Sequence, residues 1–411
     1  MKQAAGEPQA DTGLGPAFSA LLQATFITNL GDGMRLAALP LLAASLTSSP
    51  LLVSGVVAAQ FLPWTTFAPF GGVIVDRADR RGLIVVTQAW RGTVMAGLGL
   101  AVLGDVVEVW HLFVVAFVIT AGEILVDPSV VATVPTLVPP TQLDRANGQI
   151  SSVEIVTNNF VGGPVGAAAF GLAPWLPFVV DGSTYLVSIL PFRRLPANEP
   201  KRKANPAGAI PSVRAELGAG LRWIQRHPFL RPVTLAMAVF HIGTAGAFSL
   251  LILLVIDVLE APEIMFGVVL AAAAAGATLA SLVAARLVDR FSRRSVQTVA
   301  ALITTLSVIG AGLAQTQSQL VVAWIANGAG GGVLLAIGRG FVQRHTPNDL
   351  IGRAAIATRM ITRTSFVVGA LAAGSVATAF SIRWSFVMAS GFHLVGSALL
   401  WRSFDHELTP A

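Results

Sequence analysis

Cysteine is absent from the 411-residue chain, which excludes disulfides and thiolate metal sites. Charge is scarce: Asp, Glu, Lys and Arg supply 12% of residues, against about 25% in soluble domains. The six histidines are scattered, with no spacing that pairs two ligands on one helix, so no metal site is expected. No Gly-x-x-x-x-Gly-Lys-Ser/Thr loop is present, which argues against a nucleotide-driven pump. No nucleophile with its base stands out, so an intramembrane enzyme is disfavoured. No loop is long enough for the soluble domain that a non-transporting sensor would add. The N-terminal arm mixes Lys2, Glu7 and Asp11 and lacks a short apolar run with a cleavage site, so no signal peptide is expected.

What the chain does contain is apolar sequence, 54% of all residues. A membrane crossing needs about 20 apolar residues to traverse about 30 Å. Twelve segments meet this, near 17–46, 52–75, 83–104, 109–132, 147–171 and 175–192, then 230–256, 264–287, 295–314, 318–341, 354–379 and 383–402. Backbone polar groups must be satisfied inside lipid, so these are helices. The expected fold is an all-α integral membrane protein with twelve transmembrane helices in two pseudo-symmetric six-helix bundles. Residues 1–192 form the first bundle, 193–228 a basic linker, and 229–411 the second. In the linker, Leu217, Leu221 and Ile224 share one face with arginines elsewhere, the pattern of a helix at the membrane surface.

The net charge of +6 sits in short loops, so no nucleic-acid partner is expected. One set of loops holds Arg77, Arg80, Arg81, Arg145, Arg290, Arg293, Arg294, Arg344 and Arg353, while the alternate loops are acidic or uncharged apart from Arg383. The arginine-rich loops should therefore face the cytoplasm. The even number of spans puts both termini there too, in a multi-pass protein of the cell membrane.

A basic phrase occurs twice. The first copy runs Gly72-Val-Ile-Val-Asp76-Arg77-Ala-Asp79-Arg80-Arg81 and the second Ala285-Arg-Leu-Val-Asp289-Arg290-Phe-Ser-Arg293-Arg294. Asn29-Leu-Gly31-Asp32 faces His241-Ile-Gly243-Thr244 at nearly the same offset, and Pro140 to Ala146 resembles Pro347 to Ala354. Such ordered matches imply duplication, with a substrate site between the halves near the midplane.

Charges inside a span cost about 2.5–3.5 kcal/mol each on insertion scales, so each needs a reason. Asp32 lies near the middle of span one between Gly31 and Gly33, with Arg35 one turn on and Asn29 one turn before. Either Asp32 carries a proton or contacts a cation, or Asp32 and Arg35 form a fixed ion pair. Two desolvated charges at the midplane favour the first. Glu123 and Asp127 share a face of span four, and Arg91 lies at similar depth in span three. Arg91 and Asp127 read as a network that neutralises itself and the loop arginines. The deeper Glu123 reads equally as a second titrating site. Asn158, Asn159 and Asn327 line the cavity or bond between helices. His241 gains weight from matching Asn29, whereas His393 reads as a packing residue. Trp64, Trp110, Trp175, Trp384 and Trp401 read as an interfacial belt.

The double loop phrase, the twelve spans and the basic linker resemble the major facilitator superfamily over nearly the whole chain. The phrase departs from the superfamily pattern at Asp79 and Ala285, where glycine is usual. Asn29 to Leu42, Asp127-Pro128, Leu143 to Asn147 and Gly162-Gly163-Pro164-Val-Gly166 resemble its drug and siderophore exporters, enterobactin-exporter-like and macrolide-efflux-like. Gly163-Pro164-x-Gly166 is similar to a shortened span-five signature of proton-linked antiporters. The resemblance implies proton-coupled export of an amphiphilic compound by a monomer, with no cofactor beyond the proton gradient. Proton-coupled nutrient uptake is the alternative. It also implies a cytoplasmic gate in which the first loop meets span eleven and the second meets span five. Asp76 would then face Arg359 and Arg363, unless those arginines bind lipid phosphates, and Arg290 and Arg293 would face Glu154.

Overall fold

A computed structural model describes residues 14–196, 213–346 and 351–403. The first half contains α1 (Pro16–Leu46), α2 (Pro50–Thr66), α3 (Ala68–Arg77), α4 (Arg80–Leu103), α5 (Val109–Leu137), α6 (Leu143–Glu154), α7 (Gly163–Leu172) and α8 (Leu176–Phe192). Helix α9 (Val213–Arg226) falls in the linker. The second half contains α10 (Leu230–Ser249), α11 (Leu251–Leu253), α12 (Ile264–Arg290), α13 (Arg293–Leu313), α14 (Gln317–His345), α15 (Ile351–Ala379) and α16 (Ile382–Ser403). A π-helical turn, Ile155–Gly162, joins α6 to α7, and another, Leu254–Val258, continues α11. The described residues contain no strand.

Eight helices are long and apolar enough to cross a membrane, and Leu176–Phe192 is a shorter apolar one. The other crossings are interrupted or diluted by polar residues. Helix α1 carries Asn29, Asp32 and Arg35. Span two breaks at Phe67 between α2 and α3, where Pro69 has no backbone N–H to give to the preceding turn. Span five changes pitch through its π turn.

Both loop phrases end in the same local device. The Asp79 carboxylate accepts from the Gly82 amide at 2.8 Å, and the Ser292 hydroxyl accepts from the Ser295 amide at 3.1 Å. Each caps the helix that follows, satisfying a donor that the first turn leaves open. That explains the departure from glycine at Asp79. Arg80 and Arg81 tie this end to neighbouring chain, donating to the carbonyls of Ala132 at 3.0 Å and Leu195 at 3.3 Å. Arg383, which broke the loop-charge pattern, donates to the carbonyls of Gly312 at 2.6 Å and Ala314 at 3.0 Å. A cation there satisfies the open carbonyls at the end of α13.

The halves meet where α2 runs along α15 and α7 along α12. One apolar core crosses between them, with Leu39, Leu42, Val53 and Val56 packed in the same cluster as Leu250, Leu254, Phe266 and Ala373. All of these lie toward the helix ends remote from the arginine-rich loops. At the arginine-rich end each half has its own core, one around Phe18, Ile84 and Phe192 and the other around Phe229, Val296 and Leu400. The apolar core shared by the halves therefore lies at the end remote from the arginine-rich loops, while polar and aromatic contacts continue along α2 and α15, including a Thr65–Thr364 hydrogen bond at 3.1 Å.

Span one is seated against span five by glycine. A Cβ on Gly162 would lie 2.6 Å from the Gly33 Cα, and one on Gly166 would lie 2.5 Å from the Met34 Cα. Without side chains the two backbones approach closely, the usual basis of packing in lipid. Gly162→Val should therefore cost about 1–3 kcal/mol by overpacking and lower the unfolding temperature in detergent. Gly148→Ala, where an added Cβ meets nothing within 4 Å, should cause no loss.

Candidate functional site

The two glycines beside Asp32 set its position. Gly33 lies against the Asn158 backbone and Gly162, while Gly31 lies against Asp181 and Thr184 of α8, where any side chain would collide. Helix α1 is thus wedged between spans five and six. Asp32 projects from the wedge into a group of polar side chains contributed by α1, α4 and α8.

One oxygen of Asp32 receives three donors. Arg35 Nη2 donates to Oδ1 at 2.9 Å, Arg91 Nη2 donates to it at 3.1 Å, and the Tyr185 hydroxyl donates to the same atom. Arg91 Nη2 also donates to the Tyr185 oxygen at 2.8 Å, and its guanidinium lies over the Tyr185 ring, 4.1 Å from the centroid. Arg91 Nη1 donates to Gln88 Oε1 at 3.2 Å, and Gln88 Nε2 donates to Ser188 Oγ at 3.4 Å. Asp181 completes the group, with Oδ2 3.7 Å from Arg35 Nε. Two arginines and two aspartates give formal neutrality, which is how ionic groups are tolerated in a dry bundle. The Asp32 side chain keeps 16% of its exposure, whereas that of Asp181 has 0%.

Arg35 stands beside Asp32 as its spacing suggests. Arg91 bonds Asp32 across the bundle, because α4 packs on α8 and α5 with the Arg91 stem against Gly122, and it also lies within electrostatic reach of Asp127. Glu123 is half-buried and within electrostatic reach of Arg35 and Arg91. Asp127 and Glu154 are exposed. Arg363 on α15 lies within electrostatic reach of Glu123 and Asp127.

The gate residues divide. The side chains of Asp76, Arg77, Asn159 and Arg353 lie outside the described residues. Gly72 sits in α3, where an added Cβ would meet nothing within 4 Å. Arg359 lies over the Trp64 ring at 5.4 Å, and Arg363 lies over Phe61 at 5.2 Å and Trp64 at 5.3 Å. Trp64 is 7% exposed, so it is a platform for arginines and not a member of an interfacial belt. Among the described residues Glu154 has no ion-pair partner. Arg290 lies over Phe291 at 5.8 Å and Arg294 over Trp401 at 3.8 Å. Asp289 lies in the last turn of α12, and Arg293 opens α13.

Asn29 donates to the Thr25 carbonyl at 2.9 Å, a bond within its own helix. Asn158 is half-buried in the π turn, and Gly163 and Pro164 begin α7 against Gly267 of α12. Asn327 donates to Ser307 at 3.2 Å. His241 Nδ1 pairs with the Met237 carbonyl at 2.7 Å, and its ring lies 5.6 Å from Phe366. His393 is fully buried and pairs through Nε2 with Thr244 at 3.1 Å.

Three members of the group escaped the sequence reading: Asp181, Tyr185 and Gln88. Asp181 carried a signal, an acid inside span six subject to the same cost as Asp32. Tyr185 is the only tyrosine in the chain, one turn after Asp181. Gln88 had no signal apart from lying one turn before Arg91.

A family model described as transmembrane secretion effector matches residues 14–407. An uncharacterized MFS-type transporter of Bacillus subtilis is 26% identical over 271 residues, 65% of this chain and 63% of that protein. Macrolide efflux protein A of Streptococcus pyogenes is 28% identical over 111 residues, 27% of each chain. Multidrug efflux pump Tap of Mycobacterium bovis is 27% identical over 230 residues, 53% of this chain and 52% of that one. The chain thus spans less than two thirds of the length of these curated relatives. The fold is similar to that of a nucleoside transporter NupG mutant, with TM-score 0.77 and 11% identity over 94% of this chain and 100% of that one. It is also similar to a bacterial homologue of the human lysosomal transporter Spinster, inward-facing and occupied, with TM-score 0.75 and 14% identity over 96% of this chain and 98% of that one.

Removing the phenol should expose its part in the group. Tyr185→Phe leaves Asp32 and Arg91 short of a partner and should cost about 1–3 kcal/mol of stability. Combined with Asp32→Asn in a double-mutant cycle, read by unfolding in detergent, it should show a coupling of about 0.5–3 kcal/mol. Simple additivity would mean that the hydroxyl and the carboxylate act independently.

Proposed function

The chain belongs to the transmembrane secretion effector family of major facilitator transporters, and on that premise we propose that it exports amphiphilic compounds in exchange for protons. It is a transporter and not an enzyme. The observation that carries the proposal is Asp32: an intramembrane carboxylate, partly open, held by two arginines and a tyrosine. A group of this kind has two stable charge arrangements that a proton can select between. The efflux-type relatives support export over uptake.

The arginine-rich loops are proposed to face the cytoplasm of a cell-membrane protein, with both termini on that side. Aromatic residues where the halves meet, including Phe61 of α2 and Phe366 of α15 with centroids 4.6 Å apart, suit a lipophilic substrate. Glu123 and Asp127 suit a cationic portion. Protonation of Asp32 relaxes its hold on Arg35 and Arg91 and so links α1, α4 and α8 to the rocking of the first half. The loop phrases would close the cytoplasmic end in the opposite state, Asp76 meeting Arg359 and Arg363, and Glu154 meeting Arg290 and Arg293. No cofactor other than the proton gradient is invoked, and a monomer suffices.

The test uses everted vesicles and a neutral amphiphilic dye. One proton per substrate at about 100 mV supports a gradient of roughly 50-fold. Wild type should approach this and collapse on adding a protonophore, whereas Asp32→Asn should equilibrate the dye without concentrating it. Full accumulation by Asp32→Asn would remove Asp32 from the coupling. For the gate, Asp76→Arg combined with Arg359→Asp should recover part of the transport that each single change loses; no recovery would dissociate the pair.

A further inference from the structure

Among the described residues, Asp181 is a fully buried acid left without a hydrogen-bond partner. Its side chain has 0% exposure, and neither carboxyl oxygen has a hydrogen-bond partner. The nearest cation is Arg35, whose Nε also lacks a hydrogen-bond partner and stands 3.7 Å from Oδ2. That separation is too long for a hydrogen bond. Asp32, in contrast, has three donors on one oxygen. One guanidinium therefore faces two carboxyl groups and bonds only the first.

The packing around Asp181 leaves it few other partners. Helix α8 packs on α1, which brings Asp32 and Arg35, on α4, which brings Arg91, and on α7, which has no titratable residue. Glu123 of α5 adds its field through Arg35 and Arg91. A bare carboxylate in such a place is among the costliest arrangements in a protein interior, whereas a carboxylic acid is tolerated.

The duplication supplies an independent observation. Gly31 packs on Asp181 as Gly243 packs on His393. His393 occupies the matching place on α16, the last helix of its half, and is likewise fully buried with an unpartnered atom, Nδ1. Thr244, which takes the place of Asp32 in the repeat, pairs with it at 3.1 Å. Both halves thus hold an ionisable side chain where the first and last helices cross, but only the first half sets a second acid and an arginine beside it.

We propose that Asp181 stores the exchanged proton and that Arg35 is the switch between Asp181 and Asp32. This rests on the proton-coupled reading above. In the step, the Asp181 O–H bond breaks and an Asp32 O–H bond forms: the Tyr185 hydroxyl, bonded to Asp32, gives its proton to Asp32 and, turning toward Asp181, whose field it already feels, takes the proton that Asp181 releases. One negative charge moves from Asp32 to Asp181, and Arg35 follows it, turning Nε–H onto Asp181. Asp32, being partly exposed, then exchanges its proton with water, and Arg35 returns when Asp181 is reprotonated. Asp32 is the port of this relay and Asp181 its store.

The test takes the full-length protein in proteoliposomes, with ethidium as the transported probe and an internal pH dye. Wild type should move protons against ethidium, and Asp181→Asn should lose that proton movement. The single tyrosine gives a second measurement, because its ultraviolet resonance Raman bands report the hydrogen bonding of Tyr185 alone. Those bands should shift with pH in wild type and stay fixed in a folded Asp181→Asn protein. Wild-type coupling that survives in Asp181→Asn would overturn this inference alone, as would tyrosine bands in wild type that do not respond to pH. Absence of proton movement in wild type would overturn the coupled reading and this inference together.

Discussion

The first half is organised around the cost of keeping Asp32 in a bilayer. A charge there is tolerated only if it is bonded and balanced, and that requirement recruits three helices. Helix α1 supplies the acid and Arg35, α4 supplies Arg91 and Gln88, and α8 supplies Tyr185 and Asp181. The small residues follow from the same demand. Gly31 must admit Asp181, Gly122 must admit the Arg91 stem, and Gly33 must let α1 close on span five. The polar group and the glycine contacts are one design seen from two sides, since neither helps without the other.

Much of this was legible in the sequence. The duplicated loop phrase and the apolar runs announce twelve crossings, and the price of intramembrane charge singles out Asp32, Arg35 and Arg91. Partnership was less legible, because it depends on which helices touch. Arg91 and Asp127 have similar depth and opposite sign, yet the packing of α4 turns Arg91 toward α1. Trp64 sits near a span end like the other tryptophans but is buried beneath Arg359 and Arg363. Asp181 falls under the same rule as Asp32 but lacks the glycine on both sides and the arginine one turn on that mark Asp32. The π turns left no pattern, since their sequences read as ordinary helix.

The halves share an architecture and differ in polarity. Helices α1 and α8 meet through acids, arginines and a phenol, while α10 and α16 meet through Thr244, His393 and Phe240, whose ring centroid lies 4.3 Å from that of His393. Ionic bonds are directional and respond to a proton; apolar contacts are neither. The first half therefore concentrates its ionic groups where α1 and α8 meet, whereas the second packs small residues, as where Ala273 of α12 lies against Gly328 of α14. The core that joins the halves, built from Leu, Val, Phe and Ala, resists separation without fixing an angle.

The π turn at Ile155–Gly162 has a mechanical meaning. It holds a surplus residue in the winding of span five, directly between Glu154 and the Gly163-Pro164 start of α7. If that surplus passed along the helix toward α6, each residue it crossed would swing by about 100° around the axis. Asn158 and Glu154 would then point elsewhere while α7 kept its seat against α12. Span five would thereby re-aim one end of a rod whose other end is clamped on α12.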